Sequence, residues 1–307
     1  MSTENAAEHA AEHVATQGPK AGDYIVHHLQ HLQKDFSFES VKQTHIVDFS
    51  LFNLDSVLYS VILGIVGCFF LWRAARKATS GVPGRFQAAV EILSEMVDSQ
   101  AKGVIHNAKS RKLVAPLALT VFVWIFLMNG MDMLPVDILP KLWEHAFVAN
   151  GGDAHHAFMR VVPTADLSTT LGLSVSVLFV CLVYNIKIKG LGGWAHELVA
   201  APFGDHWFLY PINFLMQMIE YLAKTVSHGM RLFGNMFAGE LVFMLIALMG
   251  GTWAWQFNPL AGMFWLGVGH VIAGTAWSIF HILVITLQAF IFMMLTLIYV
   301  GQSHESH

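Results

Sequence analysis

Charge is what this sequence has least of. Its 307 residues hold 17 Lys and Arg against 21 Asp and Glu, so charged residues make up 12% of the chain. An ordinary soluble domain carries ~25%. So few charges do not suit the roughly two soluble domains that ~150 residues per domain would allow. Cysteine is scarcer still. Cys68 and Cys181 are the two present, and both lie inside apolar runs, so neither a disulfide framework nor a thiolate metal site is indicated. No nucleotide-binding motif occurs, so any nucleotide chemistry belongs to other chains. The first 22 residues lack a basic stretch followed by an apolar one, and they are not Arg-rich, so no secretory or organellar leader is expected. No internal repeat stands out.

Apolar residues are there in excess, at 55% of the chain with a mean hydropathy of +0.54. Between Leu241 and His304 there is not one Asp, Glu, Lys or Arg. A membrane crossing needs only ~20 apolar residues, so this stretch marks an integral membrane protein. Barrel strands alternate in ~10-residue segments and would not give such continuous runs. The expected fold is therefore an all-α polytopic membrane protein.

Its charges are unevenly placed. Residues 73–112 carry eight basic and three acidic groups, whereas residues 1–54 and 132–166 are net acidic. The positive-inside tendency puts the basic connection in the cytoplasm and the N-terminus and the 132–166 loop outside. Residues 1–48 form a polar tail, disordered to about Ala21, followed by an outer-surface segment with helical spacing over Gly22–Phe38. The membrane domain then runs over 49–304, and 305–307 is a short tail. Within it, Phe86, Val90, Leu93, Val97 and Val104 share one face of a segment near 84–107, which predicts an amphipathic helix at the interface. Charge-free spans follow at Ser56–Trp72, Leu113–Met131 and Leu167–Ile186. Asp132 to Pro140 ends a helix and starts an outer loop. Trp207–Met249 is ~64 Å long as one helix, twice a bilayer core of ~30 Å. It must be two spans, or one helix strongly tilted or half interfacial, and Gly262–Val300 is again long and uncharged. About five membrane-embedded helices result.

Ionisable groups inside such helices are costly, at ~2.5–3.5 kcal/mol or more for a central arginine. At ~100° per residue, Gln217, Glu220, Lys224, Ser227, Arg231 and Asn235 fall on one polar stripe. Glu240 lies nine residues past Arg231 and so points the opposite way. In the last helix, His281 and Gln288 are two turns apart on one face, shared by His270. Two polar systems on opposite faces of one helix suit a path broken in the middle. The bland alternatives are an interfacial Glu220–Lys224 pair, a snorkelling Arg231 and a core histidine at 281.

The segment Ser227-His-Gly-Met-Arg231-Leu-Phe-Gly-Asn235-Met-Phe-Ala-Gly-Glu240, with His281-Ile-Leu-Val-Ile-Thr-Leu-Gln288, resembles the signature of subunit a of the F-type ATP synthase, of the proteobacterial type. The likeness extends to Ala78-Thr-Ser-Gly-Val-Pro-Gly84, to Ala115–Asp132 and to Arg160–Asp166, and covers about Asp55 to Val300. It implies a non-catalytic stator subunit of a bacterial inner membrane, N-terminus periplasmic and C-terminus cytoplasmic. It would carry protons past a rotating c-ring beside subunit b, other synthase subunits and lipid, without cofactor, metal or nucleic acid. In that resemblance Arg231 faces the ring carboxylate and separates two half-channels. Glu240, His281 and Gln288 line the outer one, with Asn129, Asp132, Asp137, Thr164 and Asp55 at its mouth. Lys224, Ser227 and Asn235 match positions of the inner one. The family's usual acid is Gln217 here, which leaves Glu220, one turn displaced, to do that work.

Three rival readings remain. A lone secondary transporter predicts repeats and helices broken at the midplane. A haem subunit would use His228, His270 or His281 as ligands. A structural anchor leaves the Arg231 stripe unexplained.

Overall fold

The computed structural model describes residues 25, 29–35, 50–79, 81–135, 138–151, 159–200, 203–204, 206–251 and 262–303. Helix dominates it. Five helices are long and apolar enough to cross a membrane, and a three-residue strand pair is the sheet found among the described residues. The all-α polytopic reading stands.

The chain divides into two compact units. The first comprises Met1–Leu54, Val136–Arg160 and Leu241–Ala273. In it, β1 (Gln33–Asp35) pairs antiparallel with β2 (Leu51–Asn53), Lys34 opposite Phe52. This corrects the helical spacing expected over Gly22–Phe38: at least its 33–35 portion is strand, since the backbone groups of Leu51–Asn53 offered a ladder that spacing alone could not reveal. The polar tail to Ala21 lies outside the described residues. This unit also holds helix α4 (Ile138–Ala149), inside what the prolines at 135 and 140 suggested was plain loop. Pro140 sits in its first turn, where a missing N–H costs nothing. Arg160 is buried, with Nη1 3.0 Å from Nε2 of His31.

The second unit comprises Asp55–Pro135, Val161–Glu240 and Gly274–His307. Its helices are α1 (Leu54–Arg76), α2 (Arg85–Val104), α3 (Ala108–Gly130), α5 (Leu167–Ala200), and most of α6 (Tyr210–Gly251) and α7 (Gly262–Gln302). Of the face expected near 84–107, Val97 is fully buried, Val90, Leu93 and Val104 are half-buried and Phe86 is exposed, while Ala101 and Ile105 are buried beside them. The helix ends at Val104 because Asn107 caps the next one, its side chain accepting the Lys109 N–H at 3.0 Å. A side-chain oxygen there satisfies one of the orphan amides of the first turn. Helix α3 consequently starts in the basic Lys109–Lys112 stretch, five residues before the apolar run.

Lipid removes much of the hydrophobic drive between helices, so close approach and hydrogen bonds carry the packing. Trp124 of α3 donates its indole N–H to the Ser60 carbonyl of α1 at 2.8 Å. Gly64 leaves the space that this indole fills. Ser174 of α5 donates to the Thr225 carbonyl of α6 at 2.5 Å, and Gly229 lets α6 approach Thr170 and Leu171 of α5. Around these contacts Ile125, Met128, Leu232, Met236, Met293 and Leu297 form the dry core.

Helix α5 runs on past Ile186 through a kink at Gly190, whose φ of 72° favours glycine. Lys189 grips Glu197 across that kink with both carboxylate oxygens, at 2.7 and 2.8 Å. Helices α6 and α7 are each continuous, 42 and 41 residues long. Of the options for Trp207–Met249, the structure selects the single helix.

Candidate functional site

Buried polar groups gather where the sequence pointed. At the C-terminal end of α3, Asn129 is fully buried, and Asp132 follows in the single helical turn Met131–Met133. His281 of α7 places Nε2 2.6 Å from Oδ2 of Asp132, and both side chains are almost wholly enclosed. The same imidazole lies hard against Gly239 of α6, so close that a Cβ there would overlap its Cε1. Glu240 is the next residue and is buried too, as is Gln288 two turns along α7 from His281. Thr164 sits in the turn Pro163–Ala165, which packs on α3. Asp55 is buried in the first turn of α1, where a helix N-terminus favours a carboxylate.

This cluster is polar beyond what its own side chains satisfy. The amide nitrogen and oxygen of Asn129 and the hydroxyl of Thr164 are buried without a hydrogen-bond partner among the described residues. Each such group costs about 1–3 kcal/mol if left dry. Their chemistry suits a wetted path, in which water links them. Asp137, the last of the expected mouth residues, lies outside the described residues.

A second polar region lies along the earlier turns of α6. A cavity of about 350 Å3 opens there between α5, α6 and α7, and Gln217, Glu220, Lys224, Glu197, His228 and Gln302 line it. Lys224 pairs with Glu220 at 2.6 Å and donates to Oε1 of Gln302 at 2.9 Å. The helical pair expected for Glu220 and Lys224 is therefore present, but at the wall of a cavity.

Ser227, Arg231 and Asn235 form a third group. All three are exposed on one face of α6, among apolar neighbours such as Ile219, Val226 and Met230. Arg231 makes no ion pair or side-chain hydrogen bond among the described residues. It stands at the middle of a 42-residue helix, ~30 Å of helix from either end. Glu240, half a turn away, is buried, so the two faces differ as the sequence arithmetic expected.

A family model described as ATP synthase A chain matches residues 57–301. The chain belongs to this family. ATP synthase subunit a of Paracidovorax citrulli (strain AAC00-1) is 68% identical over 295 residues, covering 94% of this chain and 98% of that protein. The same subunit of Acidovorax sp. (strain JS42) gives the same identity and coverage. That of Verminephrobacter eiseniae (strain EF01-2) is 62% identical over 299 residues. As a subunit a family member, the chain is a multi-pass component of the synthase membrane sector, and ATP synthesis and proton transport follow from the family. The resemblance read from Arg231, Glu240 and His281 thus holds over nearly the whole chain.

Sequence reasoning missed Glu197 and misjudged His228. The Lys189–Glu197 grip depends on a kink that Gly190, Gly192 and Gly193 hint at without placing. His228 was weighed as a metal ligand, yet its spacing of four from Lys224 and seven from Tyr221 already put it on the cavity stripe. The haem reading loses ground to geometry: His281 is held by Asp132, and Nδ1 of His270 lies 2.7 Å from the Ile246 carbonyl.

Proposed function

We propose that this chain conducts protons through two offset half-channels to a rotating c-ring, with Arg231 facing the ring carboxylate and separating the two paths. The observation that carries this reading is the unpaired guanidinium on the exposed, otherwise apolar face of α6. A permanent charge on a helix of membrane-spanning length needs a partner, and none is found among the described residues of its own chain, so a carboxylate from a neighbouring subunit fits. Arginine does not lose its proton, so it attracts a passing carboxylate without relaying protons.

Glu240, His281 and Gln288 form the heart of the outer path, with Asp55, Asn129, Asp132, Asp137 and Thr164 toward its mouth. The Asp132–His281 pair is suited to passing a proton because both partners titrate. The cavity with Glu220 and Lys224 forms the inner path, from which Ser227 and Asn235 lead on to Arg231. Gln217 cannot titrate, so Glu220 supplies the acid at that end. Each proton crossing 100 mV yields ~2.3 kcal/mol, and several per turn drive ATP formation elsewhere in the complex. The long, continuous α6 and α7 lie strongly tilted, since ~60 Å of helix must fit a ~30 Å core. The N-terminus is periplasmic and the C-terminus cytoplasmic, and subunit b completes the stator.

The test is proton flux, read by a pH-sensitive dye, in vesicles holding the complex with Arg231→Ala. Lost ATP-driven pumping with intact assembly supports the reading. Normal pumping would make Arg231 a structural residue and end it.

A further inference from the structure

His228 has a place in the structure that its sequence context does not explain. It is 2% exposed, and neither ring nitrogen has a hydrogen-bond partner among the described residues. A histidine buried only for packing ordinarily satisfies at least one nitrogen, because an orphaned one costs about as much as a lost hydrogen bond. Yet this ring is not sealed in apolar surroundings. It forms part of the wall of the inner cavity, with Phe292 edge-on at 3.8 Å between ring centres and Tyr299 at 5.6 Å holding its other sides. Gly229, next in sequence, keeps α5 tight against α6 and closes that side of the helix.

The order along α6 is informative. Gln217, Tyr221, Lys224 and His228 are spaced four, three and four apart, which keeps them on one stripe for ~16 Å. His228 is the last of the four, and Arg231 lies one turn beyond it. Among residues that line the cavity, none on α6 stands closer in sequence to Arg231.

We propose that His228 is the innermost proton carrier of the inner half-channel, linking cavity water to the carboxylate that passes Arg231. The inference rests on the half-channel reading above and adds a residue to it. A neutral imidazole takes a proton from cavity water on one nitrogen and releases the proton of the other to the ring carboxylate. Tautomer exchange returns it to the starting state, and the reverse order serves the reverse direction. Phe292 and Tyr299 hold the ring in place at the cavity wall, and among the described residues no hydrogen bond engages either nitrogen. The titratable and charged groups facing the same cavity are Cys181 and Glu197 from α5, Glu220, Tyr221 and Lys224 from α6, and Tyr299 from α7. Glu220 is already tied to Lys224, and Glu197 to Lys189. Of the groups that remain, the imidazole is the one whose two nitrogens can take up one proton and release another.

The test uses the complete complex in vesicles, with ATP-driven pumping measured against the pH on the inner-channel side. His228→Gln keeps a polar group without a titrating one, and His228→Phe keeps the ring shape alone. Both are expected to slow pumping at least about tenfold and to change how the rate depends on the pH of the inner-channel side, while the subunit content of the complex is unchanged. Wild-type rate in either variant overturns the proposal, as does a slowed rate that keeps the wild-type pH profile. Arg231→Ala is run beside them: if that variant still pumps, the half-channel reading has failed rather than the role of His228.

Discussion

The imidazole of His281 is fixed from two sides, by Asp132 at 2.6 Å and by the bare backbone of Gly239. Three stretches of chain, from α3, α6 and α7, therefore meet at one ring. The carboxylate orients the imidazole, while the glycine brings the α6 backbone close to the same ring, with Glu240 the next residue. Position and chemistry are set by the same contacts.

Replacing Gly239 by alanine should therefore cost function rather than helix stability. Alanine is the better helix former by roughly 0.5–1 kcal/mol, but its methyl group would occupy the space of His281. We expect Gly239→Ala to reduce proton-driven ATP synthesis at least about tenfold, since small misplacements of proton-transfer groups are costly, with the complex still assembled. Gly172→Ala in α5, where a Cβ meets nothing within 4 Å, serves as the control and should retain activity. Equal losses in both variants would refute the steric account.

Asp132 and His281 should behave as one unit. Removing one partner of an enclosed pair typically costs about 3–5 kcal/mol, because the other charge is left without compensation. Asp132→Asn and His281→Gln are each expected to slow pumping, and the double variant to be scarcely worse than either. Additive losses in the cycle would mean that the two act independently.

The stability of the helix assembly should depend on contacts with no role in proton transfer. At Gly301 of α7 a Cβ would come within 2.5 Å of Val104 on α2. Overpacking of this kind typically costs about 1–3 kcal/mol. Gly301→Ala should lower the thermal midpoint of the purified complex, and Val104→Ala in the same chain should restore most of it. An unchanged midpoint would show that the α2 end yields freely.

How much of this was legible beforehand follows from what period and charge can encode. Arg231 and Glu240 were assigned to opposite faces by arithmetic alone, and burial agrees, because one long helix keeps its phase over nine residues. The amphipathic α2 was readable for the same reason. The β1–β2 pairing was not, since it joins Gln33–Asp35 to Leu51–Asn53 across a segment whose spacing carries no trace of the partner. Nor was the meeting of Asp132 with His281. They stand far apart in the chain, and only the packing of α3 and α7 unites them. Gly239 looked like an ordinary small residue of the membrane helix until the ring beside it was seen.

The kink in α5 supplies the last prediction. Gly190 holds φ at 72° and ψ at 164°, a region nearly confined to glycine that costs other residues about 1–3 kcal/mol, and Lys189 and Glu197 bridge the two helical arms around it. Lys189 is largely enclosed and bonds both oxygens of Glu197, so the grip contributes more than an exposed pair would. Glu197 also lines the inner cavity, which makes the kink part of its wall. Gly190→Ala should thus both destabilise the complex and slow pumping, whereas Lys189→Gln, which frees Glu197 without straining the backbone, should affect pumping more than the thermal midpoint. Measuring both quantities on both variants separates the two effects. If Lys189→Gln pumps normally, the pair serves only to hold the bend, and the wall of the cavity does not need its carboxylate anchored.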